Sequence, residues 1–91
     1  MQELRAHAIT MYTTKWCGDC RRLKGELKRA GVEYREVDVD EDSSASDFVI
    51  RVNNGNRSVP TVVFQDGSSL TEPSGRRVLE HLAQFSPPSA S

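Results

Sequence analysis

The sequence predicts an α/β domain: a four-stranded mixed sheet flanked by three helices, in the order β-α-β-α-β-β-α. Three observations carry that expectation. Apolar segments switch between strand-like and helix-like periodicity along a chain of 91 residues,. A charged helical segment separates the first two strand segments, which suits a crossover between parallel strands. Asp66-Gly67 between the last two strand segments is a hairpin signal and adds an antiparallel pair,.

Ala8 to Thr13 is an apolar, β-branched run long enough for one buried strand,. Arg21 to Gly31 reads as a helix. Cys20, Leu23, Leu27 and Ala30 recur at helical spacing, Arg21, Arg22, Lys24, Lys28 and Arg29 cover the other face, and Gly31 is the stop,. Val32 to Val39 alternates as a second strand, with a slip between Tyr34 and Val37,. Asp40 to Ser44 offers N-caps for a helix striped by Ala45, Phe48, Val49 and Val52 and ended by Asn54-Gly55,. Thr61 to Phe64 is the third strand and Ser69 to Thr71 a short fourth,. Ser74 caps a last helix carrying Val78, Leu79, Leu82 and Phe85 on one side,. The Ser/Pro-rich residues 86–91 read as a flexible tail,.

Composition narrows the function. With 36% hydrophobic and 27% charged residues the chain fits one small core,. A net charge of −1 gives no general attraction to nucleic acid or anionic membrane, and no aromatic residues interleave the basic segment as a nucleic-acid site requires,. No apolar run approaches the ~20 residues of a membrane span. Met1-Gln2-Glu3-Leu4-Arg5 lacks the apolar stretch of an export signal, so a cytoplasmic location is expected,. His7 and His81 have no partner motif and read as surface or packing residues,.

The chemistry sits in Trp16-Cys17-Gly18-Asp19-Cys20, where the first strand hands over to the first helix. Cys17 at the helix N-terminus meets free N–H groups and the positive end of the macrodipole, which favour a thiolate nucleophile. Cys20 lies one turn later on the apolar side, placed to resolve a mixed disulfide. Lys15, Arg21 and Arg22 add positive charge and Asp19 opposes it, while Gly18 lets a partner backbone come close,. Trp16 either packs over the cysteines or shapes a substrate groove. The same spacing is also half of a zinc site, or a copper-binding pair. A zinc site needs two further ligands, and only the distant His7 and His81 remain,. Ser58-Val59-Pro60-Thr61 is either an edge-strand stop or a cis Val59-Pro60 bond that turns the Val59 backbone toward Cys17,.

Three stretches decide the family: Tyr12 to Lys24 with the thiol motif, Val52 to Val62 with the proline, and Asp66 to Thr71 with the hairpin. Together with the strand order they resemble the glutaredoxin branch of the thioredoxin superfamily, from about Ile9 to about Phe85. More narrowly they are similar to the mycoredoxins, actinobacterial glutaredoxin-like reductases of mycothiol mixed disulfides. Mycoredoxins typically carry an aromatic residue where this chain has Asp19.

The resemblance implies a thioredoxin/glutaredoxin fold over residues 1–85 and a cis Val59-Pro60 bond. It implies a thiol-disulfide oxidoreductase with Cys17 as nucleophile and Cys20 as resolving thiol. The substrate would be held by Lys15, Trp16, Gly18, Asp19, Val59, Pro60, Thr71, Glu72 and Ser74. No metal and no tightly bound cofactor are expected. Mycothiol is the expected cosubstrate, S-mycothiolated proteins the targets, and mycothiol disulfide reductase an indirect partner of a monomer. Glutathione-using members hold the γ-glutamyl end with a Gly-Gly-x-Asp segment. The matching stretch here is Thr71-Glu72-Pro73-Ser74, and Glu72 and Asp19 would repel glutathione carboxylates, which mycothiol lacks. Two other expectations fit the motif: a redoxin reduced by thioredoxin reductase, and a dimer sharing an iron–sulfur cluster.

Overall fold

Every second residue of β1 (Ile9–Thr13) is buried, because this strand runs through the interior of the sheet with both faces covered,. The computed structural model describes residues 9–85. His7, Ala8 and the expected tail at 86–91 lie outside the described residues. β1 pairs in parallel with β2 (Tyr34–Asp38) and antiparallel with β3 (Thr61–Phe64), which pairs antiparallel with β4 (Ser69–Thr71). The sheet order is β2-β1-β3-β4, the mixed sheet expected.

Side-chain parity assigns the helices to faces. Ile9 and Met11 of β1 share one face with Val62 and Phe64 of β3, and α1 (Gly18–Arg29) and α3 (Gly75–Phe85) cover it with Leu23, Leu27 and Val78,. Tyr12 and Val37 turn to the other face, where α2 (Ser43–Val52) supplies Ala45 and Val49. This division explains the slip read in β2. Tyr34 joins the first cluster, whereas Val37 and Val39 join the second. The strand is five residues, not the eight expected from Val32 to Val39, and it lies on an edge where fewer partners hold it.

Two further expectations are corrected. α1 begins at Gly18, not Arg21, because Cys17 caps it directly. Ala30 and Leu79, both read as core positions, are exposed: Ala30 is the C-cap, and Leu79 lies on the solvent side of α3. Gly31 ends α1 as expected, with φ 79°. Its N–H bonds the Lys28 carbonyl and the Val32 N–H bonds that of Leu27, closing a Schellman motif,. Asn54, with φ 58°, plays the same part after α2, where the Gly55 N–H reaches the Ile50 carbonyl. The hairpin closes at Gly67, φ 91°, with the Phe64 N–H on the Ser68 carbonyl at 2.9 Å.

α3 starts on two caps. Ser74 Oγ accepts the Arg77 N–H at 3.1 Å, and Glu26 Oε1 of α1 accepts the Gly75 N–H at 2.8 Å. The second cap joins the two helices that share a face and brings the β4–α3 turn against α1.

Candidate active site

Cys17 leaves β-region backbone (φ −88°, ψ 114°) as the N-cap of α1, and its Sγ accepts the Cys20 N–H at 3.1 Å. A sulfur in this position takes the place of a serine or aspartate cap oxygen, so an orphan amide of the first turn is aimed at it. Cys17 is half-buried and open to a substrate, whereas Cys20 is 1% exposed and packed under the helix; both are free thiols. Burial first, and then the hydrogen bond with Cys17, push the Cys20 thiol up to about 12,. The two sulfurs are thereby chemically distinct, one presented and one withheld.

The second wall comes from the loop before β3. The Val59-Pro60 bond is cis, and the Val59 carbonyl oxygen lies 4.0 Å from Cys17 Sγ. Pro60 is buried, and its carbonyl accepts the Glu72 N–H at 2.7 Å. Thr71 pairs with Thr61 in the β3–β4 register, so Thr71, Glu72 and Pro60 form one continuous edge. Glu72 has φ 51°, a left-handed backbone that turns the chain out of β4 toward α3,.

The other expected site residues divide. Trp16 is 72% exposed beside Cys17, so it forms part of the surface and not of the core. Gly18 is exposed, and an added Cβ there would meet no atom within 4 Å. Lys15 Nζ is directed to Glu41 Oε2 at 2.5 Å, and Asp19 Oδ1 to Arg22 at 2.7 Å. The Glu41 hydrogen bond and charge raise the Lys15 pKa. The Ser74 hydroxyl is spent on the α3 cap. Among the described residues, no group of three or more His, Cys, Asp or Glu side chains could hold a metal ion. His81 of α3 lies against the Phe64 ring, centroids 4.3 Å apart, with Nε2 2.8 Å from Ser68 Oγ.

Sequence reasoning missed three supports. Asn53 donates from Nδ2 to Thr61 Oγ1 at 3.0 Å and accepts from Thr71 Oγ1, tying α2 to the proline edge. Thr61 Oγ1 in turn donates to the Ser58 carbonyl at 2.8 Å. On the α1 side of β2, Glu36 Oε2 accepts from Thr13 at 2.7 Å and from Lys24 at 2.9 Å. Burial pushes the Glu36 carboxyl up, but the Lys24 and Thr13 hydrogen bonds outweigh it and hold its pKa below the ordinary value. The signal available was the slip in β2, which puts a carboxylate on the α1 side of the sheet. The third support is the loop pair Arg57–Asp40, 2.5 Å apart.

Residues 9–69 match the family model described as Glutaredoxin. A Mycobacterium tuberculosis protein named "Putative glutaredoxin Rv3198A" is 50% identical over 78 residues, 86% of this chain and 93% of that one. Mycoredoxin 1 of Corynebacterium glutamicum is 45% identical over 71 residues, 78% of this chain and 87% of its own. The crystal structure of the glutaredoxin from Methanosarcina mazei superposes with a TM-score of 0.73 at 26% identity, covering 86% of this chain and 80% of that one.

Proposed function

The chain belongs to the glutaredoxin family of thiol oxidoreductases, and from that premise we propose that it reduces mixed disulfides between proteins and mycothiol. The observation that carries this reading is the contrast at the motif: Cys17 is presented at a helix N-terminus with an amide on its sulfur, and Cys20 is buried.

The Cys17 thiolate attacks the cosubstrate sulfur of a protein–S–S–R disulfide. A Cys17–S–S–R bond forms, the protein sulfur leaves as a thiolate and takes a proton from solvent. A second RSH, as its thiolate, attacks the R sulfur, releases Cys17 and departs as R–S–S–R. The Val59 carbonyl and the Thr71–Glu72 edge line the approach, and the Trp16 face extends it. Cys20 is the resolving thiol in a second route, in which its sulfur attacks Cys17–S–S–R and expels RSH.

Mycothiol as R is supported by the relative named Mycoredoxin 1 and by a β4–α3 turn that carries Glu72 and Pro73. S-mycothiolated proteins are then the targets, mycothiol disulfide reductase recycles R–S–S–R, and the cytoplasm is the compartment. No helix among the described residues is long and apolar enough to cross a membrane.

The test is reduction of one model protein carried as its mycothiol and as its glutathione mixed disulfide, with the wild type, Cys17→Ser and Cys20→Ser. Cys17→Ser should lose turnover entirely, and Cys20→Ser should keep part of it. Turnover that survives in Cys17→Ser but not in Cys20→Ser would reverse the two roles. Faster turnover of the glutathione form would replace the cosubstrate.

A further inference from the structure

Two cations flank the thiol, and one loop holds both. Lys15 lies two residues before Cys17, and Arg57 lies two residues before Val59, whose carbonyl faces Cys17 Sγ. Unpaired, they would form a receptor for the carboxylates of an anionic thiol. The β2–α2 loop answers each of them. Glu41 Oε2 is 2.5 Å from Lys15 Nζ, and Asp40 Oδ1 is 2.5 Å from Arg57. Arg57 Nε also donates to Ser46 Oγ of α2 at 2.9 Å, which fixes the guanidinium over the loop.

The remaining carboxylates of the loop have other duties. Asp42 caps α2 through the Ala45 N–H, and Asp38 Oδ1 accepts the Asp40 N–H at 2.8 Å. Asp38 and Asp40 still act on Lys15 through space. Across the site, Asp19 is paired with Arg22 and Glu72 is exposed. Each cation thus has its own carboxylate, and Asp38 adds a further negative charge acting on Lys15, which leaves neither cation free for an incoming anion.

We infer that Asp40 and Glu41 set cosubstrate specificity: they neutralise Lys15 and Arg57 and exclude carboxylate-bearing thiols from Cys17. This rests on the oxidoreductase reading above and adds to it the residues that do the selecting. Asp40 and Glu41 are positioning residues, since they act through the two cations and not on the reacting sulfur. The pairs are solvent-exposed, so each contributes little to folding, and their removal should leave the fold intact. The discrimination comes from charge near the approaching substrate, and salt must therefore weaken it.

The experiment uses the full chain and two small probes, the mixed disulfides of 2-mercaptoethanol with glutathione and with mycothiol. Asp40→Asn/Glu41→Gln should raise kcat/KM on the glutathione probe by about tenfold, the scale of two unit charges acting at close range in water. The mycothiol probe should stay within about twofold, which also reports an intact fold. With the wild type, added salt should raise turnover of the glutathione probe, and in the double variant it should not. Unchanged glutathione turnover in an active variant, or equal gains on both probes, would overturn the inference alone. A wild type inactive on both probes would overturn the oxidoreductase reading and this inference with it.

Discussion

Cys17 and Cys20 differ through their surroundings and not through their chemistry. Sγ of Cys17 meets an amide at the end of a helix, and Sγ of Cys20 meets the core. Burial and the Cys17 hydrogen bond push the Cys20 thiol up to about 12, which favours its protonated form at pH 8,. Alkylation by iodoacetamide at pH 8, mapped by mass spectrometry, should therefore label Cys17 and spare Cys20 until the protein is unfolded. Equal labelling would show that Cys20 is accessible and ionised. The same shift gives stability a pH dependence. The unfolded chain loses this proton first, from an ordinary 9.0, so the Cys20 contribution is intact below about pH 9 and is lost as pH rises toward about 12,. Urea midpoints of the wild type should fall across that window more than those of Cys20→Ser.

Helix junctions show how closely the elements are fitted. Gly75 opens α3 against α1, and a Cβ added there would lie 2.7 Å from Glu26 Oε1 and 2.8 Å from Glu26 Cβ. Gly75→Ala must therefore shift α3 or turn Glu26 out of its cap, at a cost of about 1–3 kcal/mol. Glu26→Ala removes the Oε1 contact but keeps the Cβ contact, so Gly75→Ala should cost less in that background without becoming free. Denaturant titration of the four proteins measures this coupling, and strict additivity would show that the two residues do not meet. The cap also explains why α3 needs no Glu or Gln at Arg77, three residues beyond the Ser74 cap: the carboxylate comes from another helix.

For the molecule as a whole, two small clusters on opposite faces of one sheet carry the fold. Leu27, fully buried between α1 and the sheet, belongs to the larger. Leu27→Ala should cost about 2–5 kcal/mol, a large share of the roughly 5–15 kcal/mol that holds a typical domain. Leu79→Ala, on the exposed side of α3, should stay within about 0.5 kcal/mol,. Urea unfolding compares them directly, and similar losses would place Leu79 in the core after all. The contrast matters for the site, because Leu23 and Leu27 anchor the helix whose first turn Cys17 caps.

Local periodicity and turn chemistry by themselves determine most of this architecture. Apolar, β-branched runs mark β1 and β3, helical stripes mark α1 and α2, and Gly31, Asn54-Gly55 and Asp66-Gly67 mark their ends, because those signals depend on neighbours within a few residues. The position of Cys17 at a helix start was legible for the same reason. The tertiary structure decided what depends on residues distant in sequence. It gave Lys15 to Glu41, Arg57 to Asp40, Glu36 to Thr13 and Lys24, and the start of α3 to Glu26. Leu79 and Ala30 satisfied the helical spacing yet face solvent, since a stripe says which residues share a side but not how wide the covering surface is. A charged side chain can reach any opposite charge that the fold brings near, and only the folded backbone selects one.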